Sequence, residues 1–150
     1  MGLVHRGGMT MDVLKEISKR AKEVDKEVMP YLQEGEVPKL MEAVRHYPSA
    51  GGKRLRPVLA IAVAEAVGKA GKKALPFGCC LEIVHNFTLV HDDVMDNDPV
   101  RRGRPAVHIL FDMPTAIIAG DAMFARAFEI LAETDVPPQH VKRLLKITAN

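Results

Sequence analysis

The sequence predicts an all-α protein, a helical bundle, from three observations. Ala, Leu, Val, Met, Lys and Glu dominate the composition, and these residues suit helices better than sheets. Apolar residues recur at helical spacing, and no convincing strand-like alternation is visible. With 47% hydrophobic residues over 150 positions, the chain can bury the core of one domain. We therefore expect one domain over residues 1–150, with residues 1–10 flexible.

Glycine and proline divide the chain into helical segments of different character. The first is amphipathic, whereas the third is apolar almost all round, which predicts a buried helix. Clear breaks occur at residues 48–52 and in a loop over 97–105 that is rich in Gly, Pro and Arg. The predicted helices cover residues 11–32, 36–47, 58–67, 74–95, 115–133 and 137–150.

Charge and cysteine content exclude several classes of protein. A net charge of +2 is too small to indicate a nucleic-acid partner by itself. Cys79 and Cys80 are neighbours within an apolar run, so they predict core residues in a reducing compartment and no disulfide framework. No apolar run reaches the ~18 residues of a transmembrane helix, and no signal peptide is recognisable. We therefore expect a cytoplasmic protein.

Three aspartates crowd the end of the long fourth helix. Asp92 and Asp96 are four residues apart and share one face, with Asp93 one step round. These charges repel one another, and negative charge at a helix C-terminus opposes the helix dipole. A divalent cation reverses both penalties, and Mg²⁺ prefers one or two carboxylates together with water and phosphate oxygens. The alternative is a solvated acidic helix end.

Basic residues on both sides of this helix predict phosphate binding. Lys53 and Arg56 follow a Gly-Gly turn and share one side of a predicted helix N-terminus, where anions are favoured, whereas Arg54 points elsewhere. Arg101 and Arg102 lie on the loop after the aspartates, and arginine binds phosphate oxygens in a bidentate way.

His85 lies two turns before Asp92 on the same face, so it could donate a hydrogen bond to a phosphate oxygen. Each of these residues also has a structural alternative: a solvent-facing cation, a core histidine, or an RNA contact by residues 101–104. A metal-binding cluster with two basic groups nevertheless favours Mg²⁺ and two diphosphate ligands.

Two stretches of sequence resemble the signatures of the trans-isoprenyl diphosphate (polyprenyl) synthase family. Residues 51–57 read GGKRLRP and are similar to its GGKRxRP motif. Residues 85–105 read HNFTLVHDDVMDNDPVRRGRP and are similar to its first aspartate-rich region followed by RRGxP. Gly120-Asp121 and the apolar helix after it resemble the next helix of the family. The resemblance implies the isoprenoid-synthase fold, of which this chain would be the N-terminal half.

The resemblance also implies a reaction and residue roles. The reaction is the Mg²⁺-dependent head-to-tail condensation of isopentenyl diphosphate with an allylic diphosphate. Arg101 would contact the allylic diphosphate, and Asp92 and Asp96, supported by Asp93, would bind the Mg²⁺ that bridges to it. Isopentenyl diphosphate would be held by Lys53, Arg56, His85 and Arg102.

Product length in this family depends on side chains below the first aspartates. Here Phe87 is bulky and Thr88 is small, a combination similar to that of archaeal-type geranylgeranyl diphosphate synthases. A farnesyl product stays open at this point. The structural alternative is that Phe87 is ordinary packing between helices.

The chain departs from the family in having one aspartate-rich motif and no C-terminal half, which leaves several interpretations open. The chain could be a truncated or split enzyme, or a non-catalytic diphosphate-binding subunit that needs a partner chain. A homodimer could set Asp92 and Asp96 against their own mates across a cavity. An RNA-binding helical protein is disfavoured because the aspartates would repel phosphates. A terpene cyclase is disfavoured because it has no use for the Lys53 and Arg56 pair.

Overall fold

The structure is a computed structural model that describes residues 13–33 and 35–149. The flexibility expected of residues 1–10 lies outside the described residues. The α-helices are α1 (Val13–Val28), α2 (Pro38–Ser49), α3 (Leu55–Ala66), α4 (Leu75–Asp96), α5 (Val107–Leu110), α6 (Met113–Ala132) and α7 (Pro138–Thr148). Single 3₁₀ turns cover Pro30–Leu32 and Gly71–Ala74, and a hairpin pairs β1 (Val100–Arg101) with β2 (Arg104–Pro105). The predicted all-α class is confirmed.

The core forms where α4 packs against α6, with α2 and α3 on its flanks. Two glycines permit close approaches to α4. A Cβ at Gly78 would lie 2.9 Å from the side chain of Pro57, and one at Gly120 would lie 2.2 Å from the imidazole of His91. Because both sites lack a Cβ, α4 sits close to the start of α3 and to α6. This packing fixes the end of α4 relative to the loop that precedes α3 and carries Lys53 and Arg54.

Local signals account for the ends of these helices. The Asp112 side chain caps α6 by accepting a hydrogen bond from the Thr115 amide at 2.7 Å. At the same end of the core, Asn97 adopts a left-handed conformation (φ 55°) and closes α4. The aspartate cluster therefore lies in the last turn of α4, directly before the hairpin.

Three expectations need correction. The first helix ends at Val28, since Pro30 begins a 3₁₀ turn there. Helix α3 is not buried all round, because Leu59 and Val63 are each 61% exposed. The loop over residues 97–105 contains the small hairpin, whose turn holds Arg102 and Gly103 at positive φ.

Among the described residues, no helix is both long enough and apolar enough to cross a bilayer.

Candidate functional site

An open cavity of about 350 Å³ lies beside the N-terminus of α3. Its walls come from the loop before α3, from the middle of α4 and from the hairpin turn. Three of its cationic side chains lie on residues that are exposed to solvent, namely Lys53, Arg56 and Arg102. We call it the basic cavity, and its lining residues are Gly52, Lys53, Arg54, Leu55, Arg56, Glu82, His85 and Arg102.

The basic cavity unites the four residues that the family resemblance groups around one diphosphate: Lys53, Arg56, His85 and Arg102. The hairpin reaches the cavity through Arg102, whose left-handed backbone (φ 54°) turns the chain. Its guanidinium donates to the carbonyl oxygen of Gly51 at 2.7 Å. This contact ties the hairpin to the glycine turn 51 residues earlier in the chain.

His85 is half-buried in the wall of the basic cavity. Burial lowers its pKa from the usual value, and the positive charge of Arg56 lowers that pKa further. The imidazole is therefore neutral at neutral pH, so that it can both donate and accept a hydrogen bond. A bound anion would favour the protonated form.

Arg54 lines the same cavity but turns its guanidinium into the protein, and the residue is only 2% exposed. It donates to Asp25 on α1 at 2.6 Å and to Glu82 on α4 at 2.7 Å. A third bond, at 2.5 Å, reaches the carbonyl oxygen of Pro48 near the end of α2. The expectation that Arg54 points away from Lys53 and Arg56 agrees with this geometry.

The aspartate cluster divides into inward and outward members. The Asp92 side chain is 51% exposed and Asp96 is exposed as well, whereas Asp93 is completely buried. Asp93 accepts hydrogen bonds from the Tyr47 hydroxyl and from Arg101 Nε, the latter at 2.6 Å. Arg101 also donates to Asp92 at 3.2 Å. Since Arg101 and Arg102 are consecutive, the aspartate cluster and the basic cavity are neighbours.

The donor set at the end of α4 fits Mg²⁺. No three side chains among His, Cys, Asp and Glu converge on one point within residues 13–33 and 35–149, so the structure shows no closed metal cage. Mg²⁺ needs no such cage, since it usually keeps several waters and takes one or two carboxylates plus phosphate oxygens. The outward carboxylates of Asp92 and Asp96 offer that arrangement next to the basic cavity.

Sequence reasoning missed Tyr47, which is hydrogen-bonded to the buried carboxylate of Asp93. Its hydroxyl donates to Asp93 and accepts from the Val107 amide at 3.3 Å. Burial and the neighbouring Asp93 carboxylate both raise the pKa of Tyr47. The phenol therefore stays protonated and keeps donating. Apolar periodicity on α2 could have placed Tyr47 in the core, but no local signal pairs it with Asp93.

The two candidate chain-length residues lie in different surroundings. The ring of Phe87 is half-buried, with its centroid 4.8 Å from that of His91 and 5.2 Å from that of Phe124 on α6. Thr88 is exposed, and its hydroxyl donates to the carbonyl oxygen of His85 at 2.8 Å. Both therefore lie one turn or more below Asp92, with Phe87 against α6.

The comparisons with known proteins agree with the motifs. The sequence model of the family described as polyprenyl synthetase matches residues 37–150. The chain belongs to this family. It is 50% identical over 135 residues to a geranylgeranyl pyrophosphate synthase of Geoglobus acetivorans, covering 90% of this chain and 41% of that protein. It is also 36% identical over 126 residues to a farnesyl diphosphate synthase of Bacillus subtilis, covering 82% of this chain and 43% of that protein.

The fold comparison gives the same family. A crystal structure of a geranylgeranyl pyrophosphate synthetase from Pyrococcus horikoshii superposes with a TM-score of 0.87 at 40% identity. The superposition covers 91% of this polyprenyl synthetase chain and 42% of the other. The chain thus spans about two-fifths of the length of the curated relatives and solved structures that it matches.

Proposed function

We propose that this polyprenyl synthetase chain takes part in prenyl transfer, the condensation of isopentenyl diphosphate with an allylic diphosphate. One observation carries the proposal: a basic cavity and an outward pair of carboxylates lie side by side, joined by consecutive arginines. Two anionic ligands with different needs could then bind as neighbours. The names of the relatives favour a geranylgeranyl or farnesyl product.

In this proposal the basic cavity binds isopentenyl diphosphate. Lys53, Arg56 and Arg102 supply positive charge, and the cavity opens at the N-terminus of α3, where unpaired amides also favour anions. The imidazole of His85, neutral before the ligand binds, adds a hydrogen-bond donor. These side chains bind and orient the diphosphate, and they leave its hydrocarbon part to face the second substrate.

The allylic diphosphate would bind at the end of α4. Asp92 and Asp96 would hold Mg²⁺, with Asp93 keeping Arg101 in place beside them. Bound there, Mg²⁺ would neutralise charge on the leaving diphosphate and so favour cleavage of its bond to the allylic carbon. Arg101 would add a fixed positive charge on the same group. The double bond of isopentenyl diphosphate would then form the new C–C bond to the allylic carbon, and a proton would leave.

We assign the control of product length to Phe87 and Thr88, which lie below the allylic site. Phe87 would limit the space below the allylic site, whereas Thr88 would leave its own position open. The half-buried ring of Phe87, which contacts Phe124, supports this role. A product assay with Phe87→Ser in an active enzyme should show longer chains, whereas an unchanged product profile would return Phe87 to plain packing.

The decisive experiment supplies the purified chain with isopentenyl diphosphate and dimethylallyl, geranyl or farnesyl diphosphate, with Mg²⁺ or with EDTA. Products are read by mass spectrometry, and binding of each substrate by calorimetry. Mg²⁺-dependent elongation would establish the transferase and its product. Binding of both diphosphates without turnover would favour the second candidate, a non-catalytic diphosphate-binding subunit.

Absence of binding by a folded chain would contradict both candidates. Sedimentation of the same sample tests the proposed homodimer. A monomer at all concentrations would exclude self-assembly.

A further inference from the structure

Arg54 is the cation of the basic cavity that is unavailable to a ligand. Each of its three guanidinium nitrogens donates to a group on another helix: Asp25 on α1, Pro48 on α2 and Glu82 on α4. Burial disfavours the guanidinium charge, but both carboxylates offset this, and the net effect raises the pKa of Arg54. Arg54 therefore remains charged while its charge is neutralised within the protein.

The geometry of this cluster is rigid for chemical reasons. A guanidinium is planar, so bonds at 2.6, 2.7 and 2.5 Å from three different nitrogens fix its position and its orientation. Glu82 is held in turn, since the Asn86 amide donates to its carboxylate at 3.3 Å. Lysine, a flexible point charge, could not reproduce this set of bonds.

Arg54 also has an unusual backbone conformation, which shapes the loop over residues 51–56. Arg54 adopts a left-handed conformation (φ 45°, ψ 35°), which is unfavourable for a residue with a side chain. Such a conformation persists where the surrounding contacts over-determine it. From this turn the neighbours Lys53 and Arg56 are presented outward, and α3 begins one residue later.

We propose that Arg54 is a positioning residue for diphosphate binding: anchored to Asp25, Glu82 and the Pro48 carbonyl, it holds the loop over residues 51–56 in the conformation that lets Lys53 and Arg56 converge with His85 and Arg102. This inference rests on the proposed function of the basic cavity. It assigns Arg54 no contact with substrate.

The test measures the affinity of the folded chain for inorganic pyrophosphate by calorimetry. Arg54→Lys keeps the charge and loses the fork, and we expect affinity to fall about 10-fold or more, as when supporting contacts of a binding site are removed. Asp25→Asn removes the negative charge from one of the three contacts and should weaken binding by a smaller factor, about 3-fold. Circular dichroism, recorded at the temperature of the titrations, establishes that each variant is folded.

Arg20→Lys is the matched control. Arg20 also joins α1 to α3, through a 2.8 Å bond to Glu65, and it pairs with Glu16 on its own helix. It does not line the basic cavity. We expect Arg20→Lys to bind pyrophosphate within about 2-fold of the unmodified chain, even where its melting temperature falls.

The outcomes separate the inference from the function on which it rests. An unmodified chain that is folded but does not bind pyrophosphate would overturn both. Binding by the unmodified chain with equal affinity in Arg54→Lys and Asp25→Asn would overturn the positioning role alone. An equal loss in Arg20→Lys would show general loosening of the fold and would overturn it too. Should Arg54→Lys fail to fold, Asp25→Asn decides.

Discussion

Two arginine–carboxylate clusters flank the candidate site, and they differ in how much solvent they meet. In the first, Arg54 pairs with Asp25 and Glu82, and its side chain is 1% exposed. In the second, Arg101 pairs with Asp93 and Asp92, and its side chain is 23% exposed. The first cluster lies under the basic cavity, whereas the second forms the rim of the aspartate end of α4.

The difference shows how one kind of contact serves two purposes. Every bond of Arg54 leads to another part of the protein, and the partner Glu82 is itself buried, with its side chain 4% exposed, so losing that carboxylate removes a buried counter-charge. Arg101 has one buried anchor, Asp93, and one exposed contact, Asp92. The exposed contact can be exchanged for a phosphate oxygen or given up to a cation at little cost. The Arg54 cluster, which we call the inner cluster, therefore fixes the loop over residues 51–56. The Arg101 cluster, which we call the outer cluster, remains available to ligands.

The largest effect should come from breaking the inner cluster. Glu82→Gln removes the buried counter-charge of Arg54 and should lower the free energy of unfolding by about 3–5 kcal/mol in urea denaturation. The matched change in the outer cluster, Asp92→Asn, should lower it by no more than about 1 kcal/mol. Similar losses in the two variants would remove the distinction between the clusters.

The outer cluster should dominate when ligand binding is measured instead. Asp92→Ala should weaken Mg²⁺-dependent binding of an allylic diphosphate about 100-fold, which corresponds to about 2.7 kcal/mol, because one of two outward carboxylates is lost. Calorimetry with and without Mg²⁺ gives this number, and circular dichroism should show an unchanged fold. Unaltered binding would count against the assignment of Asp92 to the metal.

Tyr47→Phe probes the support beneath Asp93. The change removes one hydroxyl, takes a hydrogen bond from the buried carboxylate and leaves the Val107 amide without its acceptor. The free energy of unfolding should fall by about 1–3 kcal/mol. The neighbouring contact between His46 and the carbonyl oxygen of Pro105, at 2.9 Å, does not involve the Tyr47 hydroxyl and should remain. A variant as stable as the unmodified chain would mean that the Tyr47 bond contributes nothing net.

The smallest effect concerns pH. Since the folded-state pKa of His85 is lowered, the unfolded chain binds its proton more readily. Its contribution to stability is full above the ordinary histidine pKa of about 6.5 and is lost as the pH falls towards the lowered folded-state value. His85→Asn should flatten the dependence of unfolding free energy on pH in this window, whereas His140→Asn, at an exposed position, should not. Equal curves for both variants would exclude His85 as the source.

Much of the fold was predictable because the apolar periodicity of a helix is visible in the local sequence. The apolar spacing along residues 74–95 and 115–133 gave α4 and α6 within two residues at each end. The outer face of α3 was predicted wrongly for a physical reason. An apolar face shows that a residue can be buried, but exposure of Leu59 and Val63 depends on whether another element covers them.

Some features of the candidate site were likewise fixed by the local sequence, and others by tertiary contacts. The sequence alone determined the helix that carries Asp92 and Asp96 and the glycine turn before Lys53, since local spacing fixes these. The grouping of the four basic-cavity residues followed from the family resemblance. The tertiary structure decided which neighbouring charges turn inward: Arg54 rather than Lys53, and Asp93 rather than Asp92. Those choices depend on partners far away in sequence, Asp25, Glu82 and Tyr47, because a charge is buried only where folding brings its partners within hydrogen-bond distance.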